Sequence, residues 1–182
     1  VCRRLFHKLR EAGGECEAVV PGRFLREEWK KEGMKELGGE PLSQWTGRMF
    51  AEKRGMIFVG AAGIAVRAIA PWVRDKMTDP PVVSVDEGAQ FVIPLLSGHV
   101  GGANGLARRI AEWLRSTPVI TTATDVNGKF AVDLFASVYH MVITDRKEAK
   151  NISAAVLEGK HIGVFSDLPL KTLPEGFILG KH

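Results

Sequence analysis

Apolar residues three and four positions apart (Leu5, Leu9 and Ala12) predict a helix over residues 1–12. A short apolar stretch, 16–20, predicts a strand closed by Pro21-Gly22, and a charged segment then runs to Gly38-Gly39. Ser43 is placed to cap a helix carrying Trp45, Met49 and Phe50. Residues 56–59 form an apolar run ending in Gly60, and 63–70 follow with helical spacing through Ile64, Ala65, Ala68 and Ile69, a strand-turn-helix unit. Apolar runs at 82–85 and 91–96 flank the turn-forming Asp86-Glu87-Gly88-Ala89-Gln90 and predict a hairpin, with Pro94 putting the second strand at an edge or a bulge. The clearest helix is 103–114, apolar at 103, 106, 107, 110, 111 and 114, and a buried strand is expected over 118–122. A new pattern begins near Ala136: strand 137–144, helix 145–158 capped by Asp145, strand 162–165 and a last apolar fragment at 177–179.

Strands alternating with helices predict an α/β fold, three layers (αβα) around a mainly parallel sheet, with a partial second α/β unit. The domain reading is an N-terminal α/β domain over 1–135 and a partial unit over 136–182. The chain opens inside a helical pattern and without Met, so an upstream element is expected to be missing.

Composition changes this picture little. With 45% hydrophobic residues among 182, the chain can bury a core. No apolar run reaches the roughly 20 residues that cross a bilayer, and no signal-peptide pattern opens the chain, so a cytoplasmic protein without membrane contact is expected. The net charge of +4 raises nucleic-acid binding, but the excess sits in residues 1–54, where 12 basic residues alternate with 9 acidic ones. Such mixed runs make a solvated helix face, and the aromatic interleaving of a nucleic-acid groove is missing. Cys2 and Cys16 fit neither a CxxC nor a metal-ligand pattern and read as free thiols, so no metal site and no cofactor are expected.

Three segments could carry chemistry. Leu95-Leu96-Ser97-Gly98-His99-Val100-Gly101-Gly102-Ala103-Asn104 lies between a strand and the best helix. Its glycines (Gly98, Gly101 and Gly102) let backbone approach a ligand, a helix start favours an anion, and Ser97, His99 and Asn104 add a hydroxyl, an imidazole and an amide. Thr121-Thr122-Ala123-Thr124-Asp125 lies where a strand runs out, the place where ligands bind in open α/β sheets. Gly60-Ala61-Ala62-Gly63 turns a strand into a helix carrying Arg67; it lacks the third glycine of a dinucleotide fingerprint but can present amides to an anion. Asp86 and Glu87 are turn acids, and a carboxylate near an imidazole is what a water-activating base requires. His7, His140, His161 and His182 have no such neighbours and receive no role.

The blocks Phe58-Val59-Gly60-Ala61-Ala62-Gly63-Ile64-Ala65-Val66-Arg67-Ala68-Ile69-Ala70-Pro71, Lys76-Met77-Thr78-Asp79-Pro80, Val85-Asp86-Glu87-Gly88, 95–104 and 121–127 resemble the cobalt-precorrin 5A hydrolase family, also called cobalamin biosynthesis protein G. The resemblance implies an N-terminal domain lacking its opening strand, part of a central region over 137–182, and no C-terminal domain. It implies hydrolytic opening of a lactone on cobalt-precorrin 5A, with release of acetaldehyde, to give cobalt-precorrin 5B in anaerobic cobalamin biosynthesis. The cobalt is carried by the substrate. On this reading His99 is the general base, Glu87 or Asp125 orients it, and Ser97 with backbone N–H groups holds the oxyanion. Gly60, Gly63, Arg67, Gly98, Gly101, Gly102, Asn104, Thr121, Thr122 and Thr124 line the pocket for a polyanionic cobalt-tetrapyrrole. Further partners on this reading are other enzymes of the pathway and a second copy of the chain. Two alternatives stay open: a tetrapyrrole-binding or handover module without catalysis, and a nucleotide-linked enzyme using the glycine turns for phosphate.

Overall fold

A computed structural model describes residues 1–139, 141–167, 169–170 and 172–180. The chain folds as two compact units, Val1–Val119 and Ile120–His182.

The first unit opens with α1 (Cys2–Glu11), β1 (Val19–Val20), α2 (Glu27–Lys31) and β2 (Lys35–Glu36). β1 and β2 pair in parallel over two residues each, so the strand expected over 16–20 is shorter than its apolar run. Packing takes the place of pairing here: Phe6, Ala18, Val20 and Met34 form a small core, against which Cys2, Cys16, Leu25 and Trp29 are laid. Both cysteines are free, and burial pushes each thiol above its ordinary range. An ion-pair cluster ties α1 to the end of α2, with Glu32 accepting from Arg3 at 2.6 and 2.8 Å and lying 2.9 Å from the His7 ring nitrogen.

The main sheet follows. Next come α3 (Leu42–Ala51), β3 (Met56–Val59), α4 (Ala62–Ile69), β4 (Val82–Val85), β5 (Phe91–Leu96), α5 (Ala103–Leu114) and β6 (Thr117–Pro118). Pro41 occupies the cap position of α3, so Ser43 sits inside the first turn rather than at the cap. The strand order is β3-β4-β5-β6. β4 runs parallel to β3, β5 antiparallel to β4, and β6 parallel to β5. Every residue of β4 is buried, as expected of a strand covered on both faces. Met49, Met56, Ile69 and Val82 form one core with Trp45, Phe50 and Phe58 packed on it, while α5 packs on β4, β5 and β6 through a face that includes Ala103, Ala107, Ile110 and Leu114. Pro94 lies in an interior strand, not at an edge, and the register shift between Val82 and Val83 supplies the bulge that accommodates it.

The expected buried strand over 118–122 is only Thr117–Pro118, both residues exposed, with Val119 adding one bond to Val92. Thr117 and Val119 make the donations to β5, so the missing N–H of Pro118 faces the outer edge, where it denies a donor to any further strand.

The second unit contains α6 (Ala123–Val126), α7 (Val132–Val138), α8 (Arg146–Leu157), β7 (Ile162–Val164) and β8 (Phe177–Leu179). The strand expected over 137–144 is not formed; its start belongs to α7, and His140 lies outside the described residues. The i to i−4 bonding of Phe135 to Ala131 and Tyr139 to Phe135 holds the helical path, and Phe130, Phe135, Tyr139 and Phe177 make successive ring contacts at 4.6–5.3 Å. Period-two alternation lost to this aromatic packing. Asp145 caps α8 by accepting from the amides of Lys147 and Glu148, both at 2.9 Å. β7 and β8 pair in parallel. The fold is mixed α/β with mostly parallel sheets, and no described helix is long and apolar enough to cross a membrane.

Candidate functional site

The strand directions decide which candidate residues can meet. β5 returns antiparallel to β4, pairing Val85 with Val92 and Val82 with Leu96. The turns after β3 and β4 therefore lie at one end of the sheet, and the loop after β5 lies at the other. Three strand steps separate the two ends, about 10 Å of backbone.

At the first end, Gly60 donates to the Val85 carbonyl at 2.8 Å, and its φ of 143° lies in a region that other residues rarely adopt. Gly63 is exposed in the first turn of α4, and the Arg67 guanidinium folds back within 3.5 Å of where a Gly63 Cβ would stand. Asp86 closes the β4–β5 turn by accepting from Gly88 at 3.0 Å and Phe91 at 2.6 Å. Those backbone donors, Phe91 foremost, hold its carboxyl below the ordinary aspartate range. Glu87 is exposed on the same turn.

At the opposite end, the chain leaves β5 at Ser97, whose φ of 55° is left-handed for a residue with a side chain. Ser97 is buried, and its hydroxyl donates to the Asp79 carbonyl at 2.8 Å. Three amides then close the loop: Gly102 to His99, Ala103 to Ser97 and Asn104 to Gly98, at 2.9, 3.1 and 3.0 Å. Gly102, at φ 83°, occupies the cap position of α5. Two glycines are required by contact. A Cβ on Gly101 would overlap the Ser97 side chain and stand 2.8 Å from its carbonyl oxygen, and one on Gly98 would stand 2.7 Å from Asn104 Oδ1. Asn104 is buried and braces the loop, whereas His99 is half-buried at its turn.

His99, Ser97, Gly98, Gly101, Gly102 and Asn104 thus come together, and Gly60, Gly63, Arg67 and Glu87 share the other end. The expected pairing of Glu87 with His99 is not formed, because the hairpin reverses the second strand. In this arrangement the Ser97 hydroxyl donates to the Asp79 carbonyl, which engages the one hydrogen that an oxyanion would need. In the second unit, Thr122 donates to Asp125 at 2.6 Å across the first turn of α6, Thr124 is buried and Thr121 exposed. Among the described residues, no group of three His, Cys, Asp or Glu side chains is arranged to hold a metal ion. His182 lies outside the described residues.

Residues 74–79, which overlap a block of the resemblance but hold none of the expected site residues, support the loop. Asp79 is buried; its carboxylate accepts from the amides of Arg74 (2.8 Å) and Asp75 (3.1 Å), while its carbonyl receives Ser97. The available signal was an acid between Thr78 and Pro80, set immediately before an apolar strand.

Comparison with known proteins gives the family. Residues 44–125 match the family described as cobalamin synthesis G N-terminal, and residues 130–181 match the cobalamin biosynthesis central region. The chain belongs to the cobalamin biosynthesis protein G family. Relatives named cobalt-precorrin-5A hydrolase are 41% identical over 148 residues in Salmonella typhimurium and 42% identical over 119 residues in Priestia megaterium. These alignments cover 81% and 65% of this chain but 42% and 32% of the relatives, so the chain spans less than half the length of either. A solved structure of a cobalamin biosynthesis protein G homolog from Sulfolobus solfataricus superposes with a TM-score of 0.45 at 26% identity, over 76% of this chain and 50% of that one. Both ends of the four-stranded sheet fall within the N-terminal match.

Proposed function

We propose that this chain takes part in the opening of the lactone of cobalt-precorrin 5A, with release of acetaldehyde to give cobalt-precorrin 5B, and that the 97–104 loop is its working element. The observation that carries the reading is a half-buried His99 on a loop held by buried contacts, within a segment matched to relatives that bear the name cobalt-precorrin-5A hydrolase. Hydrolysis of a lactone needs a base to take a proton from water as its oxygen attacks the carbonyl carbon. It also needs donors for the charge that develops on the carbonyl oxygen, and return of the proton to the departing ring oxygen. His99 suits the proton transfers, and the start of α5, the positive end of its helix dipole, favours the charge of the oxyanion. The two-carbon fragment then leaves as acetaldehyde: the freed hydroxyl gives up its proton and becomes the aldehyde carbonyl as the carbon–carbon bond to the macrocycle breaks, and the macrocycle takes the electron pair and a proton. Glu87 has no part in this version.

The test is incubation of the chain with cobalt-precorrin 5A and measurement of acetaldehyde. Stoichiometric release that falls by about 10²-fold or more in His99→Gln is the expected result. Release at an unchanged rate in the variant removes His99 from the base role. Binding with no acetaldehyde would replace hydrolysis by a tetrapyrrole-holding or handover role.

A further inference from the structure

We propose that Asp79 and Ser97 are positioning residues, which together set the His99 loop through buried contacts. The inference rests on the reading of 97–104 as the working loop. Asp79 is anchored through its side chain and acts through its backbone. Its carboxylate draws in the amides of Arg74 and Asp75, and Asp75 in turn accepts from Met77 at 2.9 Å and receives the amides of Thr78 and Asp79 on its carbonyl. That knot fixes where the Asp79 carbonyl points. Ser97 meets it at 2.8 Å, which offsets the cost of holding a non-glycine residue at φ 55°. Once Ser97 is fixed, Ala103 donates to its carbonyl and Gly101 packs on its side chain, so the turn that carries His99 has little freedom left. The chemistry assigned to His99 therefore depends on a carboxylate that acts on the loop through its own backbone carbonyl and Ser97.

The experiment is amide hydrogen exchange together with the His99 ring resonance by NMR, on wild type, Asp79→Ala, Asp79→Asn and Ser97→Ala. Ser97→Ala is expected to speed exchange at Gly102, Ala103 and Asn104 by about tenfold or more and to shift the ring resonance, with α3 amides unchanged. Asp79→Ala should do the same, and Asp79→Asn, which keeps an acceptor oxygen for both amides, should restore both readouts. Should Asp79→Ala fail to fold, Ser97→Ala and Asp79→Asn still decide. Wild-type exchange and ring resonance in Ser97→Ala would overturn the proposal, and so would exchange rising equally in α3 or a failure of Asp79→Asn to restore the loop. Full turnover in His99→Gln alongside the expected exchange pattern would sink the functional reading alone.

Discussion

Replacing Gly101 with Ala tests the loop's packing directly. The new methyl would overlap the Ser97 side chain and approach the Ser97 carbonyl to 2.8 Å, and neither neighbour can yield easily, since one is backbone and the other is held by Asp79. Overpacking of this kind costs about 1–3 kcal/mol. Gly101 does not have a positive φ, so the substitution also restricts the unfolded chain, which favours folding by about 0.4–1 kcal/mol. The net expectation is a loss of up to about 2.6 kcal/mol. Gly105 is the control, because it lies inside α5 with nothing within 4 Å of a built Cβ. There alanine should add about 0.5–1 kcal/mol through helix propensity. Urea unfolding followed by circular dichroism reads both. A Gly101→Ala protein as stable as the Gly105→Ala protein would refute the contact argument.

Gly47→Ala should lose up to about 2.5 kcal/mol in the same assay, an overpacking cost of about 1–3 kcal/mol less the roughly 0.5–1 kcal/mol that alanine gains inside α3, because the methyl would stand 2.6 Å from the Trp72 ring, which its N–H bond to the Ser43 carbonyl at 2.7 Å holds in place; a raised midpoint counts against it. Asp145→Ala should destabilise α8 by about 1 kcal/mol through loss of two cap bonds, seen as faster exchange at Lys147 and Glu148. Glu32 is held at about 2, against an ordinary 4.5, first by the Arg3 hydrogen bond and then by that of His7. Its contribution to stability is therefore present above pH 4.5 and fades as pH falls toward 2, so the urea midpoints of wild type and Glu32→Gln should differ at pH 5.5 and converge near pH 2; a constant difference would contradict this.

Much of the fold is legible where local pattern and tertiary packing agree. The apolar face of α5 and the Asp145 cap are both set within a few residues, and the structure forms them at the expected positions. The paired strands β1, β2 and β6 are two residues long because side-chain packing, not a ladder, stabilises those regions, and no local alternation reports that. The 137–144 segment misleads for a related reason: its alternation resembles a strand, while Phe135 and Tyr139 find ring partners on a helical path. At the site, each glycine turn is visible in the sequence, but their grouping into one pocket relied on a strand-end rule that holds for parallel strands. The hairpin expected over 82–96 already implies the reversal that separates His99 from Glu87. Asp79 escapes notice because it works through its backbone carbonyl, which every residue has.

On the proposed function, the loop after β5 is the end of the sheet that handles the tetrapyrrole. Amide exchange measured with and without cobalt-precorrin 5A tests it most directly. Slowed exchange at 97–104, with 60–67 and the 86–90 turn little changed, is the expected result; slowing confined to 60–67 and 86–90 would put the tetrapyrrole at the other end of the sheet and overturn the proposal.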